Sequence, residues 1–394
     1  MKFDVVIVGG GLAGASLAVA LADSKFEVAL IERRPPAQPG PEWDSRVYSL
    51  TPASIAFLDE IGVWSRLEQE RITPVYDMRV FGDDRRSNLR FSAYEAGVRQ
   101  LAATVESNRL QHAMWRALER RRKLSLLCPE APVQLRSAGD GVEIGLEGGR
   151  SLSARLAVGA DGADSWLRHA AGIQVRRRNY GQQGVVANFA CARMHRNTAY
   201  QWFRRDGVLA YLPLPQERIS MVWSTSDALA RELLDLPPAQ LCRRVAEAGG
   251  EALGSLEALT PPAAFPLMSM NAEQLTRGRV ALVGDAAHVV HPLAGQGINL
   301  GFGDAHALAD LLRDAPDPGD RLLLRRFERA RAEDILAMRL VTDGLQRLFN
   351  ADYPAIARIR NLGLNLTDSL PVIKTLLTRR AVGAGAGLRQ KEPT

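Results

Sequence analysis

Residues 4–22 read DVVIVGGGLAGASLAVALA. Val5 to Val8 form an unbroken apolar run, the pattern of a strand buried on both faces of a parallel sheet. Gly9, Gly11 and Gly14 follow in GxGxxG spacing, and a helix rich in small residues (Ala13, Ala15, Ser16, Ala18) takes over at Leu12 and Ala13. In such a turn the first glycine allows the tight bend, the second lets backbone approach a pyrophosphate, and the third lets helix and strand touch. A second strand, Glu27 to Ile31, ends in Glu32, placed to accept hydrogen bonds from a ribose diol. Arg33 and Arg34 come next, either reaching adenine or phosphate or forming a solvated basic pair. A lone GxGxxG says little. With a strand before it, a helix after it and an acid at the right distance, it predicts a Rossmann-like dinucleotide site. The same run is apolar enough to suggest a membrane span, but its four glycines and Asp23 exclude one.

The fingerprint does not separate NAD from FAD, but two later stretches do. Residues 279–304 read RVALVGDAAHVVHPLAGQGINLGFGD. Val280 to Val283 read as a buried strand, and the Gly284-Asp285 turn puts Asp285 at its carboxyl end, where open α/β sheets bind ligands. Gly295 and Gly297, on either side of Gln296, bare a second turn before a helix expected near Ile298. Backbone N–H groups from 295 to Asn299 would then face an electron-rich or anionic group. Leu156 to Val158 reads as another buried strand, ending in GADGADSWLR (159–168) with Asp161 and Gly162 in the turn and a helix from Ser165. A nicotinamide domain does not need a second Gly-Asp turn hundreds of residues downstream. An ordinary βα turn with spare glycines is the alternative for residues 279–304 taken alone, and a bound cofactor explains the Asp161–Gly162 turn better than chance. After a Pro-rich loop (35–41), Arg46 is a candidate for a phosphate or flavin-edge contact, or for an ion pair with Asp44. Periodicity predicts a helix over Val105 to Arg120, whose start brings Glu106, Asn108 and Arg109 near the same site or merely caps the helix.

The remaining chain sets limits. It has 394 residues with 46% hydrophobic and 24% charged, a soluble globular composition with room for two or more domains. The net charge of +6, from 50 basic and 44 acidic residues, suits an anionic cofactor or membrane surface and does not argue for nucleic acid. Cys128, Cys191 and Cys242 are scattered, which suits a reducing cytosol and buried spectator thiols. The six histidines show no metal-ligand spacing, since Pro292 and the glycines break any helix at His288 and His291. The sequence enters a strand by Phe3 with no basic run or cleavage site before it, so no secretory signal is expected.

Alternating runs at Met78 to Phe81 and Leu89 to Ser92 predict a hairpin, the first excursion into a second domain. Leu124 to Cys128, Pro132 to Arg136, Gly141 to Leu146 and Ser151 to Ala154 read as a β-meander. Gly184 to Cys191, Ala199 to Phe203, Val208 to Leu212 and Ile219 to Ser224 predict an antiparallel sheet, followed by a helix from Ala239 to Ala248 and a return to the first domain over Pro261 to Leu267. Helices are expected over 304–313, 321–348 and 353–380, with a fraying tail from Gly383. The division reads as an FAD domain (1–75, 100–178, 265–345), a substrate-covering sheet domain (76–99, 179–264) and C-terminal helices (346–394).

The three glycine-bearing stretches resemble the fingerprints of the single-component flavin aromatic hydroxylases. Residues 291–297 (HPLAGQG), with Asn299, Gly301 and Asp304, resemble the signature of the ubiquinone-biosynthesis hydroxylases. So do GVLAYLPLP (207–215), the strand ending in Trp223, and residues 344–366, so that the resemblance spans nearly the whole chain. It implies an α/β protein with a Rossmann-like FAD domain, an antiparallel substrate sheet and a helical C-terminus. It further implies that Gly9, Gly11 and Gly14 cradle the pyrophosphate and Glu32 holds the adenosine ribose. Arg46 would lie near the cofactor, Asp161 would serve FAD and nicotinamide, Asp285 would contact the ribityl–pyrophosphate region, and Pro292 to Asn299 would line the isoalloxazine. Relatives often carry an Arg at the flavin-facing start of the 105–120 helix, where Ser107 or Asn108 stands here. The implied reaction converts NAD(P)H, O₂ and a phenol to a hydroxylated ring and water, with FAD as cofactor and no protein base identifiable. The expected substrate is a polyprenylated phenol of ubiquinone synthesis. A small soluble aromatic or secondary metabolite, and a non-catalytic flavin-fold assembly subunit, are the alternatives. The basic, apolar helices after residue 321 suggest a cytoplasmic protein docking at the inner membrane or on a biosynthetic complex, against an ordinary packing surface with a solvated basic face.

Overall fold

The computed structural model describes residues 1–82, 88–121, 123–290 and 297–349. The expected helix over 353–380, the tail, and Pro292, Gly295 and Gln296 of the cofactor reading lie outside the described residues.

The N-terminal strand Lys2–Val8 is central in an eight-stranded sheet. Its neighbours run, in order, Thr276–Arg277, Val280–Leu282, Ser151–Gly159, Lys2–Val8, Val28–Ile31 and Leu124–Leu127. The last five are mutually parallel. Val5 and Ile7 pack into one core and Val6 and Val8 into another, which is why this strand reads as a continuous apolar run. Helix Leu12–Leu21 returns from it and packs beside helices Ser107–Leu118 and Gly297–Arg313 in the larger core.

The meander reading is corrected here. Leu124–Leu127 pairs in parallel with Val28–Ile31, so it is a sheet edge strand. Pro132–Ala138 and Gly141–Leu146 form the antiparallel flap, and they attach to Ser151–Gly159, one strand where the alternation suggested two.

The second sheet has nine strands, ordered His288–Val289, Ala263–Ala272, Val175–Cys191, Arg218–Ser226, Gly207–Leu214, Thr198–Arg204, Asp77–Phe81 and Asn88–Ser92, with Leu256–Ala258 on the side. Asp77–Phe81 and Asn88–Ser92 pair antiparallel as expected and join this sheet through a parallel pair with Thr198–Arg204. Ala263–Ala272 pairs along Val175–Val186, so the chain stays in this sheet to residue 272 instead of leaving it at 261–267. Helices Asp227–Asp235 and Pro238–Ala248 cover one face over a core centred on Trp223, Tyr211 and Phe189. The first of these has no counterpart in the sequence reading.

A small sheet, Val47–Leu50, Ala102–Glu106 and Thr73–Val75, joins the two large ones. Its strand Ala102–Glu106 corrects the expected helix start at Val105. The helix is Ser107–Leu118, because Val105 and Glu106 are held in a ladder with Tyr48 and Val47. No described helix is long and apolar enough to cross a membrane.

Candidate active site

Parallel pairing brings all three fingerprints to one edge. Gly9, Glu32, Ala160 and Val283 each follow the carboxyl end of a strand, and neighbouring strands carry them side by side. Gly9 N donates to Ile31 O (2.9 Å), Ala160 N to Val8 O (2.8 Å) and Val283 N to Gly159 O (2.9 Å). The sequence separates these turns by more than a hundred residues, and the sheet order removes that distance.

The glycines differ in what they do. Gly9 has φ +105°, and a Cβ there would lie 2.4 Å from Ala160 O. A Cβ on Gly14 would lie 2.0 Å from Gly9 O and 2.9 Å from the Ala160 Cβ, so helix and strand touch here. A Cβ on Gly11 would meet no protein atom within 4 Å. Gly11 therefore lacks a side chain for no reason internal to the fold. It precedes the first turn of helix Leu12–Leu21, where Leu12 and Ala13 begin a helix whose first N–H groups have no intrahelical acceptor. That combination fits the pyrophosphate of a dinucleotide.

Glu32 closes the turn. One carboxylate oxygen accepts from Gly10 N (2.6 Å), the other from Arg34 N (3.1 Å), and a carboxylate retains further lone pairs for a diol. Arg33 is exposed beside it. Sequence reasoning missed the other clamp. Trp115 Nε1 (2.9 Å) and Gln111 Nε2 (2.7 Å) both donate to Gly10 O from helix Ser107–Leu118. A Cβ on Gly10 would lie 2.9 Å from the Trp115 ring.

Asp161 uses one oxygen to accept Leu167 N (3.1 Å), and its buried Oδ1 has no partner among the described residues. Gly162 has φ +85° with open space around it. Arg168, also unread in the sequence, joins the second and third fingerprints. It is fully buried and donates to Ala163 O (2.8 Å) and Ala286 O (2.9 Å).

Gly284 has φ +60°, and its Cα comes close to helix residue Gly301. Asp285 is reached by solvent yet recessed among protein atoms. Loss of hydration pushes its carboxyl above the ordinary aspartate range, against the pull of His288 and of Arg46. Arg46 is exposed and within electrostatic reach of this carboxylate. Asp44 takes the Arg46 backbone N–H (2.9 Å) and Asn108 N (2.9 Å) on its two oxygens.

Two candidate residues are otherwise engaged. The Asn299 side chain accepts from Thr51 N (2.9 Å) and Ser54 Oγ (2.7 Å) and donates to Ser49 O (2.9 Å), which leaves its backbone N–H for a ligand. Gly297 and Ile298 open the helix as expected. The Arg109 guanidinium is bound to Glu68 (2.7 Å), Glu106 (3.1 Å) and Gly40 O (2.9 Å), whereas the buried Asn108 Oδ1 has no partner among the described residues. Glu106, fully buried, also holds Arg71 at 2.8 Å.

The nine-stranded sheet turns one face to this edge. Val185, Ala187, Phe189, Leu209, Tyr211, Ile219, Met221 and Trp223 point to the covering helices. The opposite parity holds Asn188, whose Nδ2 donates to Asp44 O (2.7 Å), so that face looks at the cofactor domain. Cross-strand register builds three rows on it: Val208–Ser224–Gly184–Phe265, then Ala210–Val222–Val186–Ala263, then Leu212–Ser220–Asn188. Ala210, Leu212, Val222 and Phe265 are half-buried and belong to no core cluster. Ser220 Oγ and Asn188 Oδ1 are buried, with no partner among the described residues.

The model of the FAD binding domain family matches residues 2–339. The chain is 35% identical over 390 residues to 3-demethoxyubiquinol 3-hydroxylase of Escherichia coli, covering 96% of this chain and 98% of that protein. This chain belongs to the FAD-dependent monooxygenases, in the branch of the ubiquinone-biosynthesis hydroxylases. Ubiquinone hydroxylase UbiL of Rhodospirillum rubrum is 37% identical over 385 residues (96% of this chain, 89% of the relative). The fold matches PqsL of Pseudomonas aeruginosa in complex with 2-aminobenzoylacetate, with a TM-score of 0.78 at 24% identity over 92% of this chain and 99% of that one. The monooxygenase is thus an FAD enzyme with NAD(P)H as co-substrate.

Proposed function

We propose that this monooxygenase hydroxylates the ring of a polyprenylated phenol on the route to ubiquinone, using NAD(P)H and O₂. The single observation that carries the substrate class is the inward sheet face. Half-buried apolar residues (Ala210, Leu212, Val222, Phe265) share this face with two buried polar atoms at its Leu212 end (Ser220 Oγ, Asn188 Oδ1) that have no partner among the described residues. Such a surface suits an oxygenated ring carrying a long apolar tail, since buried polar groups need partners and apolar surface gains by leaving water.

FAD, when bound, supplies the redox and oxygen-transfer chemistry. The chain's own residues hold and orient it. Gly9, Gly11, Leu12, Ala13 and Gly14 take the pyrophosphate through backbone, and Glu32, with Arg33 beside it, takes the adenosine ribose. Arg46, Asp161 with Gly162, and Gly284 with Asp285 line the remaining edge. The N–H groups of Gly297, Ile298 and Asn299 start helix Gly297–Arg313, where partial positive charge favours an electron-rich partner. Pro292, Gly295 and Gln296 complete this proposed site. The sheet face excludes water from the reacting ring. The 1–75, 100–178 and 265–345 cofactor domain and the 76–99 and 179–264 cover follow this division of labour, with residues 265–272 staying in the cover's sheet. Because the substrate's tail resides in a bilayer, we also infer peripheral docking at the membrane, tested by flotation with anionic liposomes.

The test is the quinone profile of cells lacking the gene, with the purified enzyme assayed for phenol-dependent NADH oxidation. Accumulation of a polyprenylphenol lacking a ring hydroxyl is expected. An unchanged quinone pool, with turnover on unprenylated phenols alone, refutes the substrate class.

A further inference from the structure

The Asp285 turn is held from behind by three buried ionisable side chains, Asp304, His288 and Arg331. Asp304, on helix Gly297–Arg313, is fully buried. Its Oδ2 accepts Gly284 N (2.9 Å) and lies 2.7 Å from His288 Nε2. Its Oδ1 accepts Arg331 Nε (2.7 Å). Gly284 and His288 flank Asp285, so one carboxylate holds both ends of the cofactor turn. Arg331 comes from a different element, helix Arg321–Phe349, and also reaches Asp334 (2.5 Å) and Leu300 O (3.4 Å). Space is reserved for it, because a Cβ on Gly303 would lie 2.8 Å from its guanidinium.

Burial works against charge on Asp304 and His288, and their partners work for it. His288 and Arg331 hold the Asp304 carboxyl below its ordinary range, and Asp304 holds the His288 proton above the usual histidine value despite complete burial. An apolar cluster of similar volume would stabilise the helix packing as well or better. What an ion triad adds is a fixed geometry, because each partner is pinned by direction as well as by distance.

We infer that Asp304 is a positioning residue that couples FAD binding at the Asp285 turn to the seating of helix Arg321–Phe349 through Arg331, an inference that rests on the cofactor reading of that turn. FAD stabilises the turn, the turn orders Asp304, and Asp304 retains Arg331. Binding of FAD therefore protects the helix, and loss of Arg331 weakens FAD. Reciprocity of this kind is required of any linked pair of equilibria.

The experiment uses the full chain in apo and FAD-bound forms. Hydrogen exchange in wild type is expected to slow at least tenfold across 321–335 when FAD is added. FAD affinity, read by flavin fluorescence quenching, is expected to fall at least tenfold in Arg331→Met. Arg331→Lys is expected to recover part of it. The double variant Asp304→Asn/Arg331→Met is expected to bind no more weakly than the worse single variant. Absence of FAD-dependent protection in wild type overturns the coupling without any variant having to fold. An Arg331→Met protein with wild-type affinity, or effects that multiply in the double variant, overturns it as well. Asp285→Ala binding FAD as wild type does would instead refute the cofactor reading of the turn, and the coupling with it.

Discussion

Gly11 and Gly14 belong to one motif, but they separate cofactor binding from folding. At Gly11 the backbone (φ −66°, ψ −178°) is open to any residue, and an added Cβ meets no protein atom within 4 Å. Gly11→Ala should therefore leave the fold alone. Alanine is a poorer helix cap than glycine by about 1 kcal/mol at most, and the stiffer unfolded chain returns roughly 0.4–1 kcal/mol. The apo protein should melt within about 2 °C of wild type. On the proposed pyrophosphate reading, the methyl occupies the approach of that group to the helix start. Losing two charge-assisted hydrogen bonds there costs roughly 3–6 kcal/mol, which is on the order of a hundredfold to ten-thousandfold in Kd. Gly14→Ala should behave differently. Its methyl would sit 2.0 Å from Gly9 O, and backbone cannot rotate away. Helix and strand must move apart, at a cost of about 1–3 kcal/mol or more, so stability and FAD fall together. Calorimetry of the apo proteins and flavin fluorescence titration measure both quantities. A Gly11→Ala protein that binds FAD within threefold of wild type would refute the pyrophosphate reading, and a Gly14→Ala protein as stable as wild type would refute the contact argument.

Three further outcomes follow from the same geometry. Because the Asp285 carboxyl is pushed up in the folded state, its ionised form opposes folding near neutrality. Its contribution to apo stability is gained as pH falls through the folded value and lost as pH rises through it. Asp285→Asn should raise the apo melting temperature at neutral pH and flatten that dependence while weakening FAD; a variant less stable than wild type at neutral pH contradicts the assignment. Glu106 is fully buried between Arg71 and Arg109, so Glu106→Gln should destabilise by about 3–5 kcal/mol in denaturant melts, and a loss under about 1 kcal/mol would mean the guanidinium groups find other partners. Ala210→Phe narrows the inward apolar rows and should cut kcat/KM for a prenylated phenol by roughly tenfold or more at unchanged FAD content; equal turnover would place the tail elsewhere.

The sequence by itself determined which local pieces exist. Val5–Val8, the GxGxxG glycines and Glu32 declare a strand, a turn and an acid, because each property is set within a few residues by sterics and burial period. The acid–glycine turns at Asp161 and Asp285 were legible for the same reason, and so was the alternating sheet of 184–224. Only the tertiary structure decided what these pieces share. Parallel order sets Gly9, Ala160 and Val283 side by side, and no local pattern encodes which strand lies next to which. The meander reading failed at Leu124–Leu127 because an edge strand and a meander strand alternate alike. The helix read from Val105 gave way because ladder pairing with Val47–Leu50 outweighed helical periodicity. Arg109 looked available in sequence and is engaged with Glu68 and Glu106, which come from a distant segment and the preceding strand. The Asp304–His288–Arg331 cluster was unreadable for the most general reason. Asp304 reads only as one member of a family signature, with no partner indicated, His288 and Arg331 stand out in no local pattern, and the cluster exists only once two helices and a turn are packed so that water is gone and each polar group must find its partner.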